Sequence, residues 1–306
     1  MATASTHEHD ATPQHWRARH AGTIRQWRLY AHLFRRNFSS MLGLFLVLLF
    51  LLLALLGPSL APYPEDAMGA VHLEQRLQPP TLGHPFGTDE MGNDILSRVI
   101  VGTRTSLWIG LVITGVAVLI GVPLGIFAGY AGGRTREAIM RITDVFLSVP
   151  GLALALAIVA SLGPGIANCV IALSLVWWPG YVRLIESKTL ALKEELFVEA
   201  ARAVGASTPY ILYRHILPNC VSPLIVKASM DFGLAILAAA SLGFIGLGAR
   251  APAPEWGSMI SVARSYMPDW WWYALFPGLA IYLTVLGFNL FGDGLRDILD
   301  PKSRGR

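Results

Sequence analysis

Residues 199–219 read EAARAVGASTPYILYRHILPN and form a polar island in a chain that is otherwise soluble in lipid. A membrane protein that keeps so long a segment in water is expected to use it for contact. The spacing predicts two short helices with a sharp corner between them. Across 194–204, Leu196, Ala200 and Val204 share one stripe and Glu195, Glu199 and Arg202 another, the 3.6-residue period of an amphipathic helix. Gly205 stands where such a helix ends, because glycine reaches the left-handed C′ conformation cheaply. Thr208 fits an N-cap, and Pro209 fits the first turn of a second helix, where its missing N–H costs nothing. Pro218 is expected to stop that helix. Ala200 and Ala201 leave a face with little side chain on it, so another protein can come close. The plain alternative is an amphipathic connector between two spans.

The rest of the chain is apolar enough to be a polytopic membrane protein. Of its 306 residues 54% are apolar and 14% charged, against roughly 25% charged in an ordinary soluble domain. Uncharged runs occupy 37–64, 105–133, 145–182, 232–249 and 270–292. Each approaches or exceeds the ~18 to 20 residues that cross a bilayer as a helix. The third run, 38 residues long, is too long for one span and is broken by Gly163-Pro164-Gly165, so it reads as two spans joined by a tight turn. Six spans result. The fourth run is short and is expected to begin earlier, near Ser222, with Lys227 and Asp231 in its first turns. These two lie four apart, the spacing at which helical side chains meet, and are expected to pair toward the bundle.

Basic residues fix an orientation. With the N-terminus inside, the inner segments hold 19 of the 24 Lys and Arg and the outer ones five, as the positive-inside rule predicts. Residues 199–219 then lie in the cytoplasm, and the net charge of +4 is a topology signal with no need for nucleic acid. The first span follows about forty polar residues and is longer than a signal-peptide core, so a retained signal anchor is expected. His7, His9, His15 and His20 have no metal-ligand spacing and read as part of an irregular tail. Cys169 and Cys220 fall near opposite faces of the membrane in this topology, which excludes a disulfide between them.

The outer segment 61–101 ends in HPFGTDEMGNDILSRVIVGTRTSL, residues 84–107, which reads as a helix lying along the membrane, capped by Thr88 or Asp89. Gly129 to Gly133 make a glycine-rich turn, but no G-x-x-x-x-G-K-[ST] occurs anywhere, so this chain does not bind ATP in a Walker A loop. Span three carries Pro150. Span four carries Trp177 and Trp178, read as packing or interfacial residues, and Pro179, a kink. Trp270, Trp271 and Trp272 sit where an aromatic belt belongs. Asp293, Asp297 and Asp300 lack a calcium-loop register and read as a solvated helix end. No nucleophile, base and orienter are placed together, so no bond chemistry is expected of the chain.

Glu199-Ala200-Ala201, Gly205 and Leu217-Pro218 resemble the EAA loop of ABC importer permeases, the cytoplasmic segment that docks in a groove of the ATPase subunit. His215 stands where the general pattern has an apolar residue, yet RHILPN is the form of the peptide-importing branch. The pattern of Gly87-Thr88-Asp89, Asp94, Ser97-Arg98, Gly102 and Arg104 resembles the segment opening the core domain of such permeases. With Pro254-Glu255-Trp256-Gly257 and the 295–301 ending, the likeness to the C-type permease of dipeptide and oligopeptide importers covers about residues 25–302. It implies an all-α fold of six transmembrane helices, the type I importer permease, in the bacterial inner membrane. Its implied parts are a cytoplasmic tail at 1–40, a first span with extracytoplasmic segment at 41–101, a core at 102–295 with a coupling loop at about 187–220, and a tail at 296–306. Its implied partners are a second homologous permease, two ATPase subunits that bind ATP and Mg, an extracytoplasmic solute-binding protein and membrane lipid. This chain itself holds no cofactor or metal. Rival readings are the same machinery with a nickel chelate, glutathione, opine or sugar as cargo, and a secondary transporter or channel without an ATPase.

Overall fold

The computed structural model describes residue 32 and residues 34–249 and 252–299. His7, His9, His15, His20 and Asp300 lie outside the described residues. Among the described residues the structure is helical, with one isolated bridge between Thr88 and Asp94 and no strand. The main helices are α1 (Phe38–Leu60), α2 (Ile95–Ala131), α3 (Gly133–Ser148), α4 (Gly151–Leu162) and α5 (Ile166–Leu192). They are followed by α6 (Leu196–Ala203), α7 (Thr208–Phe244), α8 (Trp256–Ala263) and α9 (Trp271–Leu299).

Five of these helices are long and apolar enough to cross a membrane, and α3 with α4 makes a sixth if the bent pair is one span. The pair bends by 85°. Val149 is extended before Pro150, because the proline ring pushes the preceding residue out of the helical region. The expected third span therefore begins at Gly133 and is broken in two. The break at Gly163 to Gly165 is as expected: α4 ends at Leu162 and α5 starts at Ile166.

Two expected boundaries are corrected. No helix covers 84–94; α2 starts at Ile95, with Asp94 accepting a hydrogen bond from the Ser97 N–H as its cap. Thr88 and Asp89 instead hold the loop before it. Thr88 Oγ accepts from the Gln78 N–H, and Asp89 accepts from the backbone N–H groups of Met91 and Asn93. Burial pushes the Asp89 carboxyl up from its ordinary value, against the pull of Arg98 at 3.4 Å. Asp66 reaches across to accept from the Asp94 N–H at 2.7 Å, tying the outer segment to the start of α2.

The second correction concerns α7. Pro218 does not stop it. The helix opens at Thr208, after Ser207 at the N-cap position, and passes through one π turn at Leu212–Ile216 before Pro218. A wide turn relieves the clash between a proline ring and the carbonyl a turn earlier. Span five thus begins fourteen residues before Ser222, as the continuation of the polar segment.

The bundle closes by glycine contact. Gly121, Gly125 and Gly129 recur every fourth residue along α2, and a Cβ on each would fall within 2.8 Å of the Cβ of Tyr181, Ile185 and Thr189 on α5. Small residues let the helices approach closely where the solvent is lipid and offers no hydrophobic drive. Gly129 is helical; the turn proper is Gly132 and Gly133, both at positive φ. Trp272 is buried as packing, whereas Trp271 stays half exposed at the boundary. Trp178 is buried edge-on against Phe146. Cys169 and Cys220 are free and sit in separate apolar clusters.

Candidate functional site

The polar segment folds as the corner the spacing predicts. Glu195 takes the N-cap position of α6 and Gly205 ends it at φ +81°, the left-handed region. The Ala206 N–H then donates to the Ala201 carbonyl at 3.0 Å, closing a Schellman-type turn.

The two faces of α6 differ. Leu196 is 79% exposed and Val204 84%, with Glu199 and Ala200 exposed between them. The opposite face buries Val198 fully, in a cluster with Val122 of α2, Ile185 of α5 and Ile211, Ile216 and Cys220 of α7. Ala201 and Leu217 pack against that cluster, while Pro218 is exposed. Of the two alanines of the motif, Ala200 therefore faces solvent and Ala201 the bundle. Sequence reading missed Val198, which lies three residues before Ala201 and so on its stripe.

Arg202 reaches back to α2, its guanidinium carbon 5.3 Å from the Tyr130 ring centroid. His215 stands beside the rings of Phe197 and Tyr210, at 6.0 and 5.8 Å. Tyr213 is 75% exposed. The segment thus presents a bare apolar face to solvent and keeps a firm root in three long helices.

Three ion pairs stand behind it. Lys227 Nζ lies 3.0 Å from Asp231 Oδ2 within α7, and over the Tyr181 ring of α5 at 5.0 Å, so the expected pairing is present. Arg136 of α3 meets the buried Glu186 of α5 at 2.5 Å, and Arg183 pairs with Asp144 on the same two helices. Neither of these α3–α5 pairs was anticipated, for the partners lie far apart in sequence.

Comparisons with known proteins agree on what this architecture is. A family model described as binding-protein-dependent transport system inner membrane component matches residues 121–305, and one for the N-terminal TM domain of oligopeptide transport permease C matches residues 25–80. The chain is 48% identical over 261 residues to the "Probable D,D-dipeptide transport system permease protein DdpC" of Escherichia coli (strain K12), covering 85% of this chain and 87% of that one. It is 44% identical over 281 residues to the dipeptide transport system permease protein DppC of Alkalihalophilus pseudofirmus, covering 92% and 91%. The glutathione transport system permease protein GsiD of Pectobacterium atrosepticum is 45% identical over 276 residues, covering 90% and 91%. Among solved structures, the inward facing MetNI methionine ABC transporter matches with a TM-score of 0.54 at 20% identity, over 66% of this chain and 96% of that one, a likeness of fold alone. The chain is a multi-pass inner-membrane permease that belongs to the binding-protein-dependent transport system inner membrane component family, with a first span of the oligopeptide transport permease C type.

Proposed function

We propose that this chain is one of two membrane subunits of an ATP-driven importer of short peptides, and that its 187–220 segment docks on an ATPase. The observation that carries this reading is the division of α6 into an open apolar face, at Leu196, Ala200 and Val204, and a root at Val198 and Arg202. An exposed apolar patch flanked by charge marks a surface made for a protein partner. Glu199, Ala200, Gly205 and the exposed Pro218 shape that surface, and Ala201 and Leu217 join it to the bundle.

In this reading ATP and Mg reside on two partner ATPases, and this chain carries no catalytic residue. Closure of the ATPases moves α6, and the helices rooted to it switch the cavity between the two permeases from inward-open to outward-open. An extracytoplasmic binding protein delivers the cargo. Such alternating access needs only that ATP and loaded binding protein favour one of two packed states. The divisions 1–40, 41–101, 102–295 and 296–306, and cytoplasmic termini, belong to the same proposal. The relatives named for dipeptides, D,D-dipeptides and glutathione support a cargo of two or three residues.

The test is reconstitution of the assembled complex in vesicles with its binding protein. Dipeptide-loaded or tripeptide-loaded binding protein should stimulate ATP hydrolysis and uptake. Absence of an ATPase from the purified complex would sink the reading, and stimulation by a non-peptide ligand alone would sink the cargo. For orientation, single cysteines at Gln75 and Ser207 are placed in a background without Cys169 and Cys220. Position 75 should react with an impermeant thiol reagent from outside, and labelling of 207 would reverse the topology.

A further inference from the structure

The lateral surface of the bundle carries a groove that the coupling segment and the ion pairs leave unused. It holds about 810 Å³ where α1 and α2 lie beside α7 and α9, walled by Leu51, Leu55, Trp108, Leu111 and Phe288, with Arg104 also on its lining. Leu55 is 77% exposed and Trp108 63%. Arg104 is exposed and, among the described residues, makes no ion pair or hydrogen bond.

The order of these groups along α2 is that of a lipid. Arg104 lies about 14 Å into the helix at its 1.5 Å rise, where the apolar run 105–133 begins. Trp108 follows one turn deeper on the same face, and Leu111 below it. A guanidinium at the water boundary, an indole beneath it and leucines beneath that would meet in turn a phosphodiester, a glycerol backbone and acyl chains. An unpaired cation at the edge of hydrocarbon is costly, and a guanidinium matches a phosphate through two parallel hydrogen bonds. A zwitterionic headgroup would bring its own ammonium to compete with Arg104; an anionic one does not.

We propose that this groove binds one anionic phospholipid, its phosphodiester on Arg104 and its acyl chains along Trp108, Leu111 and Leu55, in the leaflet on the side of the 61–94 segment. The inference rests on the chain spanning a membrane and is independent of cargo.

The test places the assembled transporter in phosphatidylcholine nanodiscs containing a small fraction of phosphatidylglycerol with a photoactivatable acyl chain. Labelling should be saturable, map to peptides around 51–55 and 108–111, and be displaced by unlabelled phosphatidylglycerol but not by phosphatidylcholine. Arg104→Gln should weaken it roughly tenfold, as loss of a charge-assisted hydrogen bond does, and Arg104→Lys should weaken it less. Leu55→Trp, which fills the groove and leaves the charge alone, should abolish it. Equal labelling of wild type and Arg104→Gln, or equal displacement by both lipids, would make this ordinary boundary lipid and overturn the proposal. So would a photoreactive residue at position 55 that links to a second membrane subunit in place of lipid, for the groove would then be a seam between chains.

Discussion

Arg202 lies over the ring of Tyr130, so the last turn of α6 is held against the last turn of α2 by a cation and an aromatic face. The contact joins the segment proposed to meet the ATPase to a helix that crosses the membrane. An exposed pair of this kind contributes about 0.5–1 kcal/mol. Arg202→Ala and Tyr130→Leu should each lower stimulated hydrolysis in assembled vesicles, and the double variant should be no worse than either single one. Additive losses would show that the two residues act apart.

Gly205→Val places a β-branched residue at φ +81° and should cost about 1–2 kcal/mol. Nothing lies within 4 Å of the site of its Cβ, so the loss is one of backbone strain rather than of space. The variant should reach the membrane with its partners yet import little, whereas Gly205→Asn should retain most of the uptake. Glu199→Lys, on the exposed face, should weaken ATPase retention directly. Normal retention and uptake in both Gly205→Val and Glu199→Lys would leave the segment a mere connector.

Removing Lys227 leaves the Asp231 carboxylate buried without its cation, a change worth about 1–3 kcal/mol. Lys227→Gln should therefore lower the melting temperature of the purified protein, and adding Asp231→Asn should recover part of the loss. A double variant no more stable than Lys227→Gln alone would argue that the two side chains are independent.

On α2 two glycines make an internal comparison. A Cβ at Gly125 would stand 2.8 Å from both the Val182 carbonyl oxygen and the Ile185 Cβ, whereas nothing lies within 4 Å of one at Gly115. Gly125→Ala should destabilise by about 1–3 kcal/mol through overpacking, and Gly115→Ala should be neutral or better. Equal melting temperatures in detergent would contradict the close approach of α2 and α5.

Glu255 caps α8 by accepting from the N–H groups of Gly257 and Ser258, both at 2.8 Å. Burial nevertheless raises its carboxyl above the ordinary 4.5, the hydrogen bonds opposing. A raised acid contributes stability that is present in full below its unfolded value and lost as pH rises through the folded one. Melting temperatures should therefore shift in favour of Glu255→Gln, relative to wild type, as pH increases from about 4.5. A constant difference across that window would exclude the linkage.

What could be read from the sequence was what neighbours in the chain decide. Gly205 and the Gly163 to Gly165 break were legible because backbone conformation at a glycine is local. So was the Lys227–Asp231 pair, which one helix brings together. Pro218 was misread because a π turn, set within a packed segment, lets the helix pass a residue that otherwise ends it. The cap of α2 was misplaced for a similar reason: Thr88 and Asp89 have the right chemistry but are held by loop hydrogen bonds from Gln78 and Asn93. Arg136–Glu186, fifty residues apart, and the direction in which Ala200 and Ala201 face depend on how whole helices meet, which no local spacing states.

The continuity of α7 has a mechanical meaning. At 1.5 Å per residue its 37 residues make a rod about 55 Å long, whose first turns belong to the segment proposed to meet the ATPase and whose last lie beside α8. A hinged connector would let a push at one end dissipate at the joint. A continuous shaft makes the far end swing with the near one, and its irregular places, the π turn at Leu212–Ile216 and the prolines Pro218 and Pro223, all sit close to the end that is pushed. A tilt of a few degrees there becomes a displacement of several ångströms at the opposite face of the membrane, so the lever arm is set by the helix itself.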